Sequence, residues 1–225
     1  MINHDRNKEC ITTFSYSKVR NFQELVVNYY KREGRDFPWR NTKNPWNILL
    51  SEVLLRKTTA KQAAIIYKKI SGFSIADFVN FDNEKLSEIL KYLGMQNERA
   101  RLLKKIAEQV NTHGISNLQD ANFLDSLPGI GPYARNAVLC FAYNQPVPTL
   151  DRNMIRILQR VFSIKSDKSR PRTDKALWNI ASIFVPLDFY KEYNWGILDI
   201  SAAFCRPRKP KCDICPLNNI CDLME

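Results

Sequence analysis

Residues 127–139 read LPGIGPYARNAVL, and this stretch decides the fold. The chain has only seven glycines in 225 residues, and two of them, Gly129 and Gly131, stand one residue apart here. Both can take positive φ at little cost, which suits a tight turn between two helices. Pro132 follows at once, and proline is pre-organised for the first position of a helix. With no side chains on either glycine, the backbone amides of 129–131 lie open beside a helix N-terminus, and such amides form an anion site. The bare alternative is a structural turn with no ligand.

The charge balance bears on which anion. Thirty-four Lys and Arg against 23 Asp and Glu leave a net charge of +11. A surplus of that size points to a polyanion, because each neutralised phosphate releases counterions. A basic but inert surface is the plainer reading. The hydrophobic fraction of 44% excludes a disordered chain, and no apolar run is long enough to span a membrane. The opening MINHDRNKEC lacks the apolar core of a signal peptide, so a cytoplasmic protein is expected.

Helical patterning runs through the sequence. In DNEKLSEILKYLG, Leu86, Ile89, Leu90 and Leu93 fall at i, i+3, i+4 and i+7 between an Asp/Asn cap and a glycine stop. NERARLLKKIAEQVNTHG repeats the pattern and ends on Gly114. NPWNILLSEVLL is apolar nearly all round, which predicts a buried helix. DRNMIRILQRVF and ALWNIASIFV add two more, and strand-like alternation is absent. Residues 163–174, SIKSDKSRPRTD, are polar, carry Pro171, and are the least regular segment expected. The class is all-α.

Four of the six cysteines crowd the last 21 residues, as Cys205-x6-Cys212-x2-Cys215-x5-Cys221. In a cytoplasmic chain such a group is no disulfide frame. Four thiolates this close hold a soft metal centre, zinc or iron–sulfur. Zinc sites favour two Cys-x2-Cys pairs, and here only one pair has that spacing. Cys10 and Cys140 are read as ordinary, Cys140 as a small hydrophobe in AVLCFA.

Eighteen positions after Tyr133, in VPTLDRNMIRI, stands Asp151. Hairpin, short helix, VPTLD loop and aspartate at a helix start together resemble the helix-hairpin-helix DNA glycosylases of the endonuclease III superfamily. FPWRNTKNPWNILLSEVLLRKTT (37–59) is similar to the entry helix of the adenine and thymine mismatch members. The cysteine spacing is similar to their 4Fe–4S loop, which moves the choice from zinc to iron–sulfur. The resemblance covers about residues 20–223. It implies two all-α lobes, a six-helix lobe with the hairpin over 43–148 and a cluster lobe from 1–42 with 149–225. The implied partner is double-stranded DNA containing a mismatch, which would hold a cytoplasmic protein of prokaryotic type at the nucleoid; a monomer is the default expectation.

Each site residue then acquires an expected role. Asp151 would stabilise the positive charge that builds on the sugar as the glycosidic bond breaks, or activate water; its plain role is a helix N-cap. Members that also cut the strand carry a lysine at the position of Tyr133, which attacks the sugar carbon to form a Schiff base. A phenol cannot do this. By resemblance, tyrosine belongs to the thymine–guanine mismatch enzymes, so a glycosylase without lyase activity is expected. Glu52, inside ILLSEVLL, is either a carboxylate that holds the base or a water, or the i, i+4 partner of Arg56. Arg56 and Lys57 stand where the adenine members have glutamines and are expected to enter the duplex or read the opposite guanine. Gly129 and Gly131 would grip phosphate, and Cys205, Cys212, Cys215 and Cys221 would hold one 4Fe–4S cluster that fixes the basic loop RPRKPK.

The expected activity is removal of thymine or uracil mispaired with guanine, in base excision repair. The alternatives are an adenine glycosylase acting on A·G or A·8-oxoguanine, or a DNA-binding iron–sulfur protein without catalysis. Tyr133, the Arg56–Lys57 pair and the stop four residues after Cys221, where adenine members continue into another domain, weigh against the adenine reading. The presence of Asp151 weighs against the non-catalytic one.

Overall fold

The computed structural model describes residues 14–224; Cys10 and the rest of the opening segment lie outside them. The described residues form eleven α-helices with short 3-10 turns and no strand. In chain order these are α1 (Tyr16–Glu33), α2 (Pro45–Leu54), α3 (Ala60–Ile70), α4 (Ile75–Asn80), α5 (Asn83–Leu90) and α6 (Gln96–His113). Then follow α7 (Ala121–Ser126), α8 (Pro132–Phe141), α9 (Arg152–Phe162), α10 (Lys175–Ile183) and α11 (Tyr190–Ala203). They divide into two compact units: an inserted unit, Asp36–Gln145, and a second unit made from the chain up to Arg35 and from Pro146 onward.

Within the inserted unit the helix starts are set locally. Asn44 caps α2 by accepting from the amides of Trp46 and Asn47, Thr59 and Gln62 form a capping box on α3, and Asp82 caps α5. Helix α2 buries Trp46, Ile48, Leu49, Leu50, Val53 and Leu54. At about 1.5–3 kcal/mol per large apolar side chain, that burial is on the order of 10 kcal/mol. Helix α2 is thus a fixed support for what it carries. Near the start of this unit, Trp39 sets its ring edge against Tyr67 of α3, with centroids 5.7 Å apart.

The second unit is built on the crossing of α1 with α11. A Cβ at Gly196 would meet the carbonyl oxygen of Val26 at 2.7 Å, so only glycine allows this approach. Phe22 packs edge-on against Phe162, Phe184 and Tyr193. Helix α9 feeds the same core with Met154, Ile155, Ile157, Leu158, Val161 and Phe162. Between α9 and α10, residues 163–174 contain only the turn Pro171–Thr173. Trp178 pins that segment by donating to the Arg172 carbonyl at 2.9 Å.

Candidate functional site

Helix α7, the turn Leu127–Gly131 and helix α8 form the hairpin expected from LPGIG. Asp125 and Arg135 tie the two helices by an ion pair at 2.7 Å. The two glycines differ. Gly129 has φ +73°, and a Cβ there would stand 2.9 Å from Nη1 of Arg56 and 3.2 Å from Leu102. Gly131 has extended backbone, φ −112°, and its missing side chain faces open space. Positive φ is therefore a property of one glycine, not both. Neither its backbone conformation nor the space around its absent side chain demands glycine at 131.

Asp151 is the N-cap of α9. Its Oδ1 accepts from the amides of Asn153 at 2.8 Å and Met154 at 2.9 Å, and its Oδ2 accepts from the Asn153 side-chain amide at 2.6 Å. The capping role is thus present. Burial nonetheless pushes the carboxyl above its usual range, against the pull of these hydrogen bonds and of Arg156. A carboxylate held in one orientation with its charge incompletely solvated suits stabilisation of a nearby cation.

Two asparagines escaped the sequence reading. Asn153 shares the helix start with Asp151, and the Asp-x-Asn spacing was the signal that could have found it. Asn194, fully buried on α11, accepts from the Thr149 amide and hydroxyl at 2.8 and 3.0 Å. It also donates to the carbonyls of Val147 and Tyr190 at 3.1 and 2.8 Å. It thereby clamps the VPTL segment that delivers Asp151. No local pattern announces such a contact.

The inserted unit carries the other expected residues. Tyr133 is partly buried at the second position of α8. Glu52 is partly buried on α2. Arg56 and Lys57 are exposed in the turn just after α2, and Lys57 has left-handed backbone, φ +51°. The structure brings Arg56 to the hairpin: its guanidinium lies over Gly129.

Cys205, Cys212, Cys215 and Cys221 line one cavity, walled by Val161, Phe204 and Leu217. Burial first, then the other three thiols, pushes the Cys215 thiol up to about 11. Such thiols bind by exchanging protons for a soft metal centre. Four soft donors around one largely apolar cavity fit an iron–sulfur group. Arg160 of α9 donates to the Cys205 sulfur at 3.3 Å and to the carbonyls of Arg206 and Pro207. Arg156 joins the Cys205 carbonyl at 2.8 Å to the Asn153 side chain at 3.0 Å. A continuous polar path therefore runs from Asp151 through Asn153 and Arg156 to the first cysteine. Arg206, Arg208, Lys209 and Lys211 of the loop are exposed.

Residues 50–182 match the model of the HhH-GPD superfamily of base excision DNA repair proteins, and residues 205–221 match the iron–sulfur binding domain of endonuclease III. The chain is 43% identical over 207 residues to a thymine/uracil-DNA glycosylase of Pyrobaculum aerophilum, covering 89% of this chain and 90% of that protein. It is 38% identical to a thymine-DNA glycosylase of Aeropyrum pernix, covering 91% and 94%. Among solved structures, a thermostable thymine-DNA glycosylase superposes with a TM-score of 0.86 at 33% identity, covering 92% of this chain and 97% of that one. Hairpin, capped aspartate, four-thiol cavity and these likenesses together place the chain in the HhH-GPD superfamily of base excision DNA repair proteins.

Proposed function

We propose that the chain is a DNA glycosylase that removes thymine or uracil mispaired with guanine and leaves the strand uncut. The observation that carries this reading is Asp151, a partly buried carboxylate fixed by three hydrogen bonds at the head of α9. Relatives named as thymine and uracil glycosylases, at 43% and 38% identity, support the choice of base.

The nucleotide must first leave the stack, which costs about a few kcal/mol and less at a mismatch. The open amides at Gly131 and the start of α8 hold backbone phosphate while this happens. As the N-glycosidic bond lengthens, positive charge gathers on the sugar, and the ionised Asp151 offsets it or takes a proton from the incoming water. Tyr133 lines the pocket against the flipped base or sugar and has no amine to form a Schiff base. Glu52 holds the base or a water. Arg56 and Lys57 address the opposite guanine, arginine being the commonest bidentate partner of guanine edges. Cys205, Cys212, Cys215 and Cys221 hold one 4Fe–4S cluster. Four thiols spread around one cavity suit a multinuclear centre. When bound, the cluster ties the 205–221 loop so that its basic residues meet phosphate.

The test is a glycosylase assay on 5′-labelled duplexes holding T·G, U·G, A·G, A·8-oxoguanine and T·A pairs, with and without hot alkali. Alkali-dependent cleavage of the T or U strand opposite G, lost in Asp151→Asn, is the expected result. Cleavage at adenine, or cleavage without alkali, would overturn it.

A further inference from the structure

Arg99 lies in the first turn of α6 and is only 4% exposed. A buried guanidinium ordinarily needs a carboxylate. Among the described residues its hydrogen-bond partners are backbone carbonyls instead: Gly94 at 3.0 Å from Nε, Val53 and Leu54 at 2.7 and 3.3 Å from Nη1, and Arg56 from Nη2. Three of the four belong to the C-terminal end of α2 and the turn after it, where carbonyls run out of α-helical i+4 donors and carry the negative end of the helix dipole. That end supplies the counter-charge. Burial, with Arg56 nearby, draws the guanidinium below its usual range, yet arginine stays charged.

The same group holds two unusual turns. Lys57 follows directly on the Arg56 carbonyl and has φ +51°. Met95 follows directly on the Gly94 carbonyl and has φ +52°. Neither is a glycine, and left-handed backbone at such residues persists only where surrounding contacts over-determine it. Both side chains are exposed. One further contact extends the arrangement, because the Arg56 guanidinium rests over Gly129 of the hairpin.

We infer that Arg99 is a positioning residue for mismatch recognition: it locks the Arg56–Lys57 turn and the Gly94–Met95 turn to one another, beside the hairpin, so that they meet the duplex as one pre-set surface. The inference rests on the proposed role of Arg56 and Lys57. Arg99 touches no substrate. It removes the ordering cost that two loose turns would otherwise incur on binding.

The test uses the full chain carrying Arg99→Met, which keeps length and loses every donor. Arg99→Lys, with a point charge in place of the fork, serves if the methionine variant does not fold. The first readout is amide hydrogen exchange over 54–59 and 93–97 without DNA. Both segments should exchange faster together, by about tenfold or more. The second is affinity for T·G against T·A duplex. The T·G preference should fall about tenfold, towards that of an Arg56→Ala/Lys57→Ala variant, and Arg99→Met added to that variant should change nothing more. Quickened exchange in one segment only, or equal weakening on both duplexes, would reduce Arg99 to a structural cap and overturn the inference. A wild-type chain that releases no base from any duplex would overturn the proposed activity instead, and the exchange result would still decide whether the turns are coupled.

Discussion

The carboxylate of Asp151 accepts a hydrogen bond from the side-chain amide of Asn153 at 2.6 Å, two residues further along the same helix start. That bond holds the carboxyl down while burial drives it up, and burial prevails. The activity should therefore lose its ionised carboxylate on the acid side at a pH above the ordinary aspartate value of 3.8. Removing the bond with Asn153→Ala should move that acid limb to still higher pH, since a hydrogen bond to the charged form is lost. A pH–rate profile under single turnover checks both, and a limb that moves down in the variant contradicts the account.

Asp151→Asn separates function from stability. Asparagine is as good a cap as aspartate, so α9 should start as before. The sign of linkage follows from the raised pKa: the folded state binds the proton more tightly, so the aspartate's contribution is present below its unfolded value and lost as pH rises through the folded one. At neutral pH the charge is a burden, and the variant should melt slightly higher than wild type. Base release should fall by about 10²–10⁴-fold. Thermal melts at pH 7 beside single-turnover assays give the comparison.

The hairpin glycines should respond in opposite ways. Gly129→Ala meets both positive φ and the Arg56 and Leu102 side chains, and should cost about 1–2 kcal/mol of stability or more. Gly131→Ala meets neither, and its stability should stay within about 0.5 kcal/mol. DNA affinity should nonetheless drop about tenfold at 131, because the added methyl stands where phosphate approaches the amides. Denaturant melts paired with binding isotherms at fixed salt decide this.

Tyr133→Lys places an amine at the second position of α8. Borohydride should then trap a covalent complex with a substrate duplex, whereas the wild type traps none. No trapping by a folded, DNA-binding variant would mean that position 133 does not face the sugar.

Asn194→Ala strips the clamp from the segment before Asp151. The Thr149 amide and the Val147 carbonyl lose a buried partner, at about 1–3 kcal/mol each. Urea denaturation should show a loss of about 2–6 kcal/mol, with base release reduced beyond what unfolding explains.

Much of this was legible in the sequence where the cause is local. The Asp82 cap, the Pro132 start and the Gly114 stop are read from neighbours in the chain, and helices begin and end there, while Gly94 closes the 3-10 turn that follows α5. The four cysteines and Asp151 announced themselves by spacing. What stayed hidden depends on partners far away. Lys57 holds left-handed backbone in a turn gripped by an arginine 46 residues beyond Val53. Asn194 reaches back 45 residues to Thr149, and nothing near either marks the pair. Gly131 misled in the reverse sense: a glycine read for its torsional freedom is present with ordinary backbone.

The close crossing at Gly196 and Val26 orders events during synthesis. The unit spanning 36–145 is continuous, so its internal packing partners are all present once its own residues have left the ribosome. Helix α1 emerges before it, yet Val26 must wait for Gly196 of α11 to meet its partner. At about 5–20 residues per second that wait lasts roughly ten seconds or more. A nascent chain stalled before Gly196 should therefore hold a folded middle and a sticky, unpaired first helix, the species that chaperones would be asked to shield.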